Sequence, residues 1–241
     1  MGSTRLPGKS LMPLAGAPLL QRLLERVRRC RAVDVIVVAT TGKAEDDALA
    51  DLARACGVEV FRGSENDLVD RYLEAARAFD VELVARLPAD NPVPEPAEID
   101  RIVGYHRTGA AAFSSNLAQV FGNGYPDGLG AEVFDRTSLE EVWRTATDPR
   151  DREHPHLNFF DYGSQQPRSP RYSVGTVECP GAFRRPDLVL DVNTREQYNF
   201  LARLYADLYP GNPQFHVTDV IRWYDETWRP SRAAGAGAVG R

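Results

Sequence analysis

The residues best suited to chemistry lie at the start of the chain, in the sequence Gly2-Ser-Thr-Arg-Leu-Pro-Gly-Lys9. The two glycines of this segment allow backbone N–H groups to turn towards a phosphate, and Arg5 and Lys9 add two positive charges. Residues 11–31 are expected to form a loop and then a helix, whose N-terminus favours anions. The pattern therefore predicts a loop that holds a triphosphate.

This N-terminal segment also has a simpler interpretation. Its glycine spacing does not match the Walker A pattern. The alternative is a disordered terminal segment that ends in a solvated Lys9.

A strand is expected ahead of this loop. Phosphate loops of this kind normally follow a buried strand, and the printed chain begins inside the loop. A parallel sheet without its central strand would expose unpaired backbone groups and apolar surface, which a marginally stable domain cannot absorb. We therefore expect an upstream in-frame segment of about ten residues that encodes an apolar strand, with Met1 an internal methionine.

Length and composition indicate an ordinary folded domain and exclude several classes of protein. Of 241 residues, 43% are hydrophobic and 26% charged, and the net charge is −5. This charge gives no electrostatic footprint for nucleic acid or an anionic membrane, and no apolar run approaches the ~18 residues of a membrane-spanning helix. Cys30, Cys56 and Cys179 contain no CxxC pair, which argues against a disulfide framework or structural zinc and fits a reducing cytoplasm.

Strand-like and helix-like periods alternate along the chain, which predicts an α/β fold with a mostly parallel sheet. Strands are predicted at 33–39, 58–61, 81–87, 111–115, 131–134 and 188–192. Helices are predicted at 45–56, 67–79, 95–106, 138–147 and 196–208. Residues 148–171 lack a clear period and are expected to form a loop or lid. We expect one domain over 1–228, with a separate subregion at 121–171, and a disordered tail at 229–241.

Two further segments carry oxygen ligands at predicted strand ends. Asp90 follows the strand at 81–87, where open α/β sheets bind ligands and a carboxylate can bind Mg²⁺. Asp191 and Asn193 lie at the end of the strand predicted at 188–192 and share one side of an extended segment, so either is a candidate metal ligand. Each segment has a structural alternative, because a strand-end Asp often caps the next helix and Thr194 is a good helix N-cap.

Eight segments together resemble the spore-coat polysaccharide F-type cytidylyltransferases, which are related to the synthetases that make CMP-linked sialic, legionaminic and 3-deoxy-manno-octulosonic acids. These are GSTRLPGK at 2–9, AGAPLL at 15–20, VVATT at 37–41, FRGSENDLVDRY at 61–72, ARLPADNP at 85–92, FSSN at 113–116, YPDGLGAEVF at 125–134 and DREH at 151–154. The resemblance covers residues 1 to about 205 and implies a Rossmann-like nucleotide-diphosphosugar transferase fold, a mostly parallel twisted sheet flanked by helices. It also implies Mg²⁺-dependent transfer of CMP from CTP, with release of pyrophosphate, by a homodimer. The acceptor and dimerisation subregion that it implies is 121–171.

The resemblance also implies roles for individual residues. It assigns catalysis to Arg5, Lys9 and Asp90. It assigns the nucleotide to Gly2, Ser3, Thr4, Arg5, Lys9, Thr40, Ser64, Arg71 and Asp90. It assigns the acceptor to Asn116, Glu132, Arg152, Glu153 and His154, and the metal to Asp90, Asn193 and Asp191. The chain departs from the family pattern at Asn193, Gly130 and Ala89, where Asp, Asp and Gly are usual.

In the implied reaction, an acceptor oxygen attacks the α-phosphorus of CTP in line with the departing pyrophosphate, so positioning and charge neutralisation matter most. A hydroxyl acceptor would also need a base, for which His154 is the candidate, although a structural His is at least as frequent. The acceptor is a sugar acid, a sugar or a phosphonate, and the arginines of 150–185 favour an anionic one.

Two other functions remain open at this point. A glycosyltransferase of related topology would normally carry Asp-x-Asp, which the sequence Ala89-Asp-Asn-Pro92 lacks. A non-catalytic relative is the second alternative, suggested by Asn193 and by the absent first strand.

Overall fold

A computed structural model describes residues 6–109 and 111–229 of the chain. Its strands are β1 Pro13–Leu14, β2 Ala17–Pro18, β3 Val37–Thr41, β4 Glu59–Gly63, β5 Leu83–Arg86, β6 Phe113–Ser115, β7 Glu132–Asp135, β8 Phe160–Asp161, β9 Gln166–Pro167 and β10 Val174–Gly175. Its α-helices are α1 Leu19–Val27, α2 Asp47–Ala55, α3 Leu68–Ala78, α4 Pro96–His106, α5 Arg136–Thr145, α6 Pro149–Glu153, α7 Arg195–Leu208 and α8 Val217–Trp223. Short 3₁₀ turns and one π turn, Tyr224–Trp228, complete the described elements.

The strands form two main sheets flanked by helices, which confirms the predicted α/β class. The larger sheet has the order β10-β6-β7-β5, and β3 and β4 form a parallel pair beside it. β7 runs antiparallel to both of its neighbours, so parallel and antiparallel pairs occur in the larger sheet. The alternating apolar pattern of the chain therefore locates the strands but does not reveal the reversed direction of β7.

Two predicted elements differ from the structure. Residues 188–192 form no regular strand. Their pairing is limited to an isolated parallel bridge between Val189 and Asp127. The segment 148–171 is more regular than a loop: it contains α6, a 3₁₀ turn at Pro155–Asn158 and the hairpin of β8 and β9. Such short elements leave no periodic signal in the sequence.

The N-termini of two helices follow directly from their sequences. Thr194 caps α7: its hydroxyl accepts a hydrogen bond from the Gln197 N–H at 3.2 Å, and the Gln197 side chain accepts from the Thr194 N–H at 2.9 Å. The capping box predicted there is thus present. Asp67 caps α3 by accepting from the Asp70 N–H at 2.8 Å.

The segment after residue 208 packs tightly onto the rest of the fold. The buried Arg26 of α1 donates to the carbonyl of Phe215 at 2.9 Å and to that of Pro94 at 2.8 Å. Glu95, buried just before α4, accepts from the Val217 N–H at 3.1 Å. The C-terminal segment therefore covers a buried pair of opposite charges.

Within the described ranges, no helix is long and apolar enough to cross a membrane. The tail predicted to be disordered falls almost wholly in 230–241, outside the described residues.

Candidate active site

The ammonium group of Lys9 lies where three distant segments meet. It donates to the Asp90 carboxylate just after β5, to the Val192 carbonyl at 2.7 Å and to the Asn193 side-chain oxygen at 3.2 Å. The side chains of Lys9 and Asp90 are only 14% and 19% exposed. The interpretation of Lys9 as a solvated end of a terminal tail is therefore wrong.

Backbone hydrogen bonds hold these segments in place. The Val192 N–H donates to the Asp90 carbonyl at 2.9 Å, and Asp127 exchanges backbone hydrogen bonds with Leu188 and Leu190. Gly128 has a φ of +90°, and a Cβ there would lie 3.3 Å from the Asp191 backbone nitrogen. Only glycine suits this close approach of two chains, which aligns Asp90 with the 188–194 segment.

Asp191 and Asn193 lie side by side, as their spacing predicts. The Asn193 amide donates to the Asp191 carboxylate, and the Gln197 amide donates to its other oxygen at 3.2 Å. Burial and the nearby charges of Asp127 and Asp90 raise the pKa of Asp191 to about 6. An excess of negative charge therefore accumulates here, which favours a bound cation.

Asp127 belongs to this acidic group but is absent from the residues singled out in the sequence. Burial and the charge of Asp90 raise its pKa, and Glu132 acts on it in the same direction. The sequence Pro126-Asp-Gly128 has the typical composition of a turn, which hides the carboxylate among ordinary turn residues. Its presence within the quoted segment YPDGLGAEVF was the available signal.

The donor set of this region suits a hard divalent cation. Asp90, Asp191 and Asn193 offer carboxylate and amide oxygens, the ligands that Mg²⁺ prefers. Throughout 6–109 and 111–229, no group of three or more His, Cys, Asp or Glu side chains is arranged to hold a metal by itself. The positively charged Lys9 instead contacts Asp90 and Asn193, so these oxygens already attract a cation in the fold.

The predicted nucleotide side is only partly described. Gly2, Ser3, Thr4 and Arg5 lie outside the described residues. Arg71 donates to the Ser64 carbonyl at 2.8 Å, which brings these two predicted residues together. The Arg71 Nε atom is buried without a hydrogen-bond partner among the described residues, and it can therefore bind a ligand.

Thr40 has a different environment from the one predicted. Its side chain is buried at the end of β3, and its hydroxyl donates to Asp46 at 2.8 Å. The same carboxylate accepts from the Thr41 N–H at 3.1 Å. The Thr40 hydroxyl therefore stabilises the turn into α2 and is not presented to a nucleotide.

A second polar group, here called the acceptor-side cluster, consists of Arg86, Glu132, His156 and Tyr162. Glu132 is 1% exposed, and it accepts from Arg86 at 2.5 Å and from the Tyr162 hydroxyl at 3.1 Å. The His156 Nδ1 atom lies 3.6 Å from the Glu132 carboxylate. Three elements contribute to the cluster: the end of β5, the start of β7 and the segment around β8.

Charge in the acceptor-side cluster is balanced. Burial alone would raise the pKa of Glu132, but the charge of Arg86 outweighs it and lowers that pKa. Burial lowers the pKa of His156, with Glu132 opposing, so its imidazole is neutral near pH 7. The His156 Nδ1 and Arg86 Nε atoms are buried and have no hydrogen-bond partner within the described chain. They are therefore the groups of the cluster able to bind a ligand.

The other residues predicted to contact the acceptor divide into two sets. Asn116 is fully buried; its amide donates to the Glu98 carbonyl at 2.8 Å and its oxygen accepts from the Ala131 N–H at 3.0 Å. Arg152 donates to Asp67 at 2.5 Å and to the Trp143 carbonyl at 2.8 Å. Both side chains have structural partners in the fold, and their role at the acceptor stays a prediction.

Glu153 and His154 lie at the end of α6, on the rim of the region. Glu153 is exposed and His154 half-buried, with the two imidazoles of His154 and His156 5.9 Å apart. His156, two residues beyond the predicted base, is the histidine in contact with Glu132. The sequence reasoning missed it because the last segment quoted for the resemblance, DREH, ends at His154.

Gly130 marks one departure from the family pattern, and its neighbourhood explains why it stays small. A Cβ at this position would lie 2.0 Å from the Asn116 side-chain oxygen. The space for a side chain at 130 is thus filled by Asn116 in this chain.

With this geometry established, the comparisons with known proteins identify the family. A family described as Cytidylyltransferase matches residues 1–208. The chain belongs to the cytidylyltransferase family.

Individual relatives agree with this assignment. The chain is 33% identical to the spore coat polysaccharide biosynthesis protein SpsF of Bacillus subtilis, over 85% of this chain and 82% of that protein. It is 42% identical to a 3-deoxy-manno-octulosonate cytidylyltransferase of Anaeromyxobacter dehalogenans, over 45% of each chain. A solved cytidylyltransferase from Leptospira borgpetersenii superposes with a TM-score of 0.82 at 28% identity, covering 96% of this chain and 92% of that one.

Family membership decides between the functions that the sequence left open. The chain is a nucleotidyltransferase that transfers CMP from CTP, with a Rossmann-like fold, and not a glycosyltransferase.

Proposed function

We propose that this cytidylyltransferase transfers CMP from Mg²⁺-bound CTP to a sugar acid, with the metal at the Lys9–Asp90–Asn193 meeting point and the acceptor at the acceptor-side cluster. The observation that carries the proposal is the convergence of a lysine and of Asp90 and Asn193, from three distant segments, on one point. A sugar acid is the acceptor named for the 3-deoxy-manno-octulosonate relative.

Asp90, Asp191 and Asn193 would hold the metal, which when bound neutralises phosphate charge and aligns the α-phosphate. Lys9 is placed to move from Asp90 to the oxygens of the leaving pyrophosphate, since both are anionic partners for one ammonium group. Arg5, predicted beside it on the phosphate loop, would share this charge. Arg71, on the first turn of α3, would position the nucleotide beside the end of β4.

The acceptor-side cluster supplies what a sugar acid needs. Arg86 Nε is a buried donor that suits an anionic or hydroxyl oxygen, while its NH1 remains paired with Glu132. His156 is neutral near pH 7, so it can accept a proton from the attacking hydroxyl. Glu132 would stabilise the imidazolium that results, and we therefore assign the base to His156 in place of His154. The charges of Asp90 and Glu132 both raise the pKa of Asp127, which supports placing the metal site and the acceptor-side cluster next to each other.

A substrate screen tests the proposal. The purified chain is assayed for pyrophosphate release with each of the four nucleoside triphosphates, and with CTP against sugar acids, neutral sugars and phosphonates. We expect turnover only with CTP and a carboxylate-bearing sugar. Turnover with a phosphonate or a neutral sugar at the same rate would contradict the acceptor assignment.

An Asn193→Asp variant is the matched probe of the metal site. A third carboxylate should tighten divalent metal binding, so the Mg²⁺ concentration that gives half-maximal activity should fall by about tenfold. An unchanged Mg²⁺ dependence would remove Asn193 from the metal site.

A further inference from the structure

An ion pair joins the nucleotide side of the proposed site to the acceptor side. The Arg152 Nε atom, on α6, donates to the carboxylate of Asp67 at 2.5 Å. Asp67 is the N-cap residue of α3, whose first turn includes Arg71. Four residues beyond Arg152 along the chain lies His156 of the acceptor-side cluster. The pair therefore connects the segment that carries Arg71 with the segment that carries His156.

Asp67 uses its two carboxylate oxygens for different partners. Its Oδ1 atom accepts from the Asp70 N–H at 2.8 Å and so caps α3, whereas its Oδ2 atom accepts from Arg152. The side chains of Asp67 and Arg152 are 24% and 21% exposed, so water and salt screen their attraction less than that of a surface pair. The placement of the first turn of α3 therefore depends on both partners of Asp67.

The guanidinium group of Arg152 is also attached to α5. Its NH1 atom donates to the carbonyls of Trp143 and Ala146, at 2.8 Å and 3.1 Å, near the end of that helix. Arg152 thus fastens α6 to α5, and Asp67 adds α3 to the same unit. Loss of the Asp67 charge would release α3 from α6 and leave α6 attached to α5.

The position of Arg71 depends on the geometry of this first turn. Within the described chain, the Arg71 side chain makes one hydrogen bond, from NH1 to the Ser64 carbonyl at 2.8 Å. A Cβ at Gly63 would lie 3.2 Å from the Arg71 Cγ atom, so glycine at the end of β4 leaves room for the arginine stem. Because one hydrogen bond does not fix a long side chain, the backbone at the start of α3 must set the direction of the guanidinium group.

The rest of α3 is held by packing. Val69 and Leu73 are fully buried in one hydrophobic cluster, against which Tyr72 also packs. Trp143 of α5 makes a separate contact with the helix, because its Nε1 atom donates to the Asp70 carboxylate at 2.9 Å. Loss of the ion pair should therefore leave α3 folded and change the orientation of its first turn.

We propose that Arg152 is a positioning residue for the nucleotide: through Asp67 it fixes the first turn of α3 and so holds Arg71 against bound CTP. This inference rests on the proposed placement of Arg71 at the nucleotide. The role needs no contact between Arg152 and the acceptor. It predicts that the ion pair acts on the affinity for CTP more than on the stability of the fold.

Calorimetric titration of the full chain with CTP and Mg²⁺ tests the inference. Asp67→Asn removes the charge that pairs with Arg152, and asparagine still caps α3. We expect the Kd for CTP to rise about tenfold, because Arg71 is displaced, and the Tm to stay within about 4 °C of that of the unaltered chain. Trp143→Phe is the matched control, because it removes the exposed bond between α5 and α3 and leaves the ion pair intact. It should not change the Kd.

Two substitutions of Arg152 show whether its charge is what acts. Arg152→Gln should weaken CTP binding about as much as Asp67→Asn does. Arg152→Lys keeps a cation beside Asp67, so its Kd should stay within about threefold of that of the unaltered chain. In an Arg71→Gln background, Asp67→Asn should cause no further loss of affinity, because the ion pair acts through Arg71.

Three results would contradict the inference, and they separate it from the proposed function. A Kd that rises in Arg71→Gln but not in Asp67→Asn would overturn the role of Arg152 and leave the placement of the nucleotide intact. An unchanged Kd in Arg71→Gln would overturn that placement and the inference with it. An equal loss of affinity in Trp143→Phe, or a loss in Asp67→Asn that adds fully to that of Arg71→Gln, would show that the ion pair only stabilises the fold.

Discussion

The proposed metal site, here called the metal end, consists of Lys9, Asp90, Asp127, Asp191 and Asn193. It differs from the acceptor-side cluster in how its buried charges are balanced. At the metal end, the charges of Asp90 and Asp127 help burial to raise the pKa of Asp191 to about 6, while the Lys9 ammonium bonds Asp90. In the acceptor-side cluster, Glu132 is paired with Arg86, and its pKa falls although it is 1% exposed. The metal end is left with unbalanced negative charge that a ligand can neutralise. In the acceptor-side cluster the charges are paired, and two nitrogen atoms, Arg86 Nε and His156 Nδ1, have no hydrogen-bond partner among the described residues.

The largest effect is expected from Asp90→Asn, because it removes a negative charge from the proposed Mg²⁺ site. We expect kcat/KM for CTP to fall by about 10³-fold with little change in thermal stability. The matched control is Asp51→Asn on the exposed face of α2, which should leave activity unchanged. Equal losses in both variants, or none in Asp90→Asn, would contradict the division between the regions.

Glu132→Gln removes the carboxylate that pairs with Arg86 in the acceptor-side cluster, and it should lower the stability of the protein. Arg86 would be left buried without its counter-ion, so we expect the free energy of unfolding in urea to fall by about 3 kcal/mol. Glu74→Gln breaks an exposed pair with Arg77 at 2.8 Å and should change it by less than about 1 kcal/mol. A Glu132 variant as stable as the Glu74 variant would show that the cluster does not depend on its ion pair.

His156→Asn and His154→Asn distinguish the base from its neighbour. If His156 accepts the proton, its loss should lower kcat by about 10²-fold and remove the rise of activity with pH below neutrality, while KM for CTP stays constant. The His154 variant should retain that pH dependence. The opposite result would restore the assignment made from the sequence.

The smallest effect is a pH-dependent gain in stability from Asp191→Asn. Because the folded-state pKa of Asp191 is raised from 3.8 to about 6, folding favours its protonated form, and this stabilisation is lost as pH rises from about 4 through 6. Above pH 6 the variant should therefore be more stable than the unaltered chain by about 1 kcal/mol, after allowance for solvent screening, and below pH 4 equal to it.

Asp187→Asn is the control of opposite sign for that measurement. Hydrogen bonds from Arg185 lower the pKa of Asp187, so its loss should destabilise the protein at neutral pH. Urea titrations of both variants between pH 4 and 8 provide the comparison. Curves that shift in the same direction would contradict the charge imbalance at the metal end.

The fold and the metal end were largely predictable from sequence because each rests on local patterns. Alternating apolar periods located β3 to β7 within a few residues, and the capping pair Thr194 and Gln197 fixed the start of α7. The prediction that Lys9, Asp90 and Asn193 lie in one site depended on the family resemblance. The comparisons confirm the family, and the roles of the three residues stay predictions. The roles of individual residues, the choice of Mg²⁺ and a homodimer through the subregion 121–171 stay predictions.

The acceptor side was less predictable because its residues meet only in three dimensions. Arg86, His156 and Tyr162 come from separate elements and have no shared spacing, and Asp127 has the composition of a turn. Asn116 was predicted to contact the acceptor. Its buried side-chain amide instead joins the Glu98 carbonyl of α4 to the Ala131 N–H just before β7. The reversed direction of β7 likewise depends on pairing over long sequence distances, which a single sequence does not encode in its period.

The C-terminal segment covers the buried charges of Arg26 and Glu95, and it lies beyond the residues that the family model matches. The family match ends at residue 208, yet Phe215 and Val217 supply the backbone groups that satisfy Arg26 and Glu95 inside the fold. A fragment cut after residue 208 would expose Arg26 and Glu95 to water. We expect such a fragment to lose cooperative unfolding. The residues that the family model matches are therefore fewer than those that complete the buried interior of this enzyme.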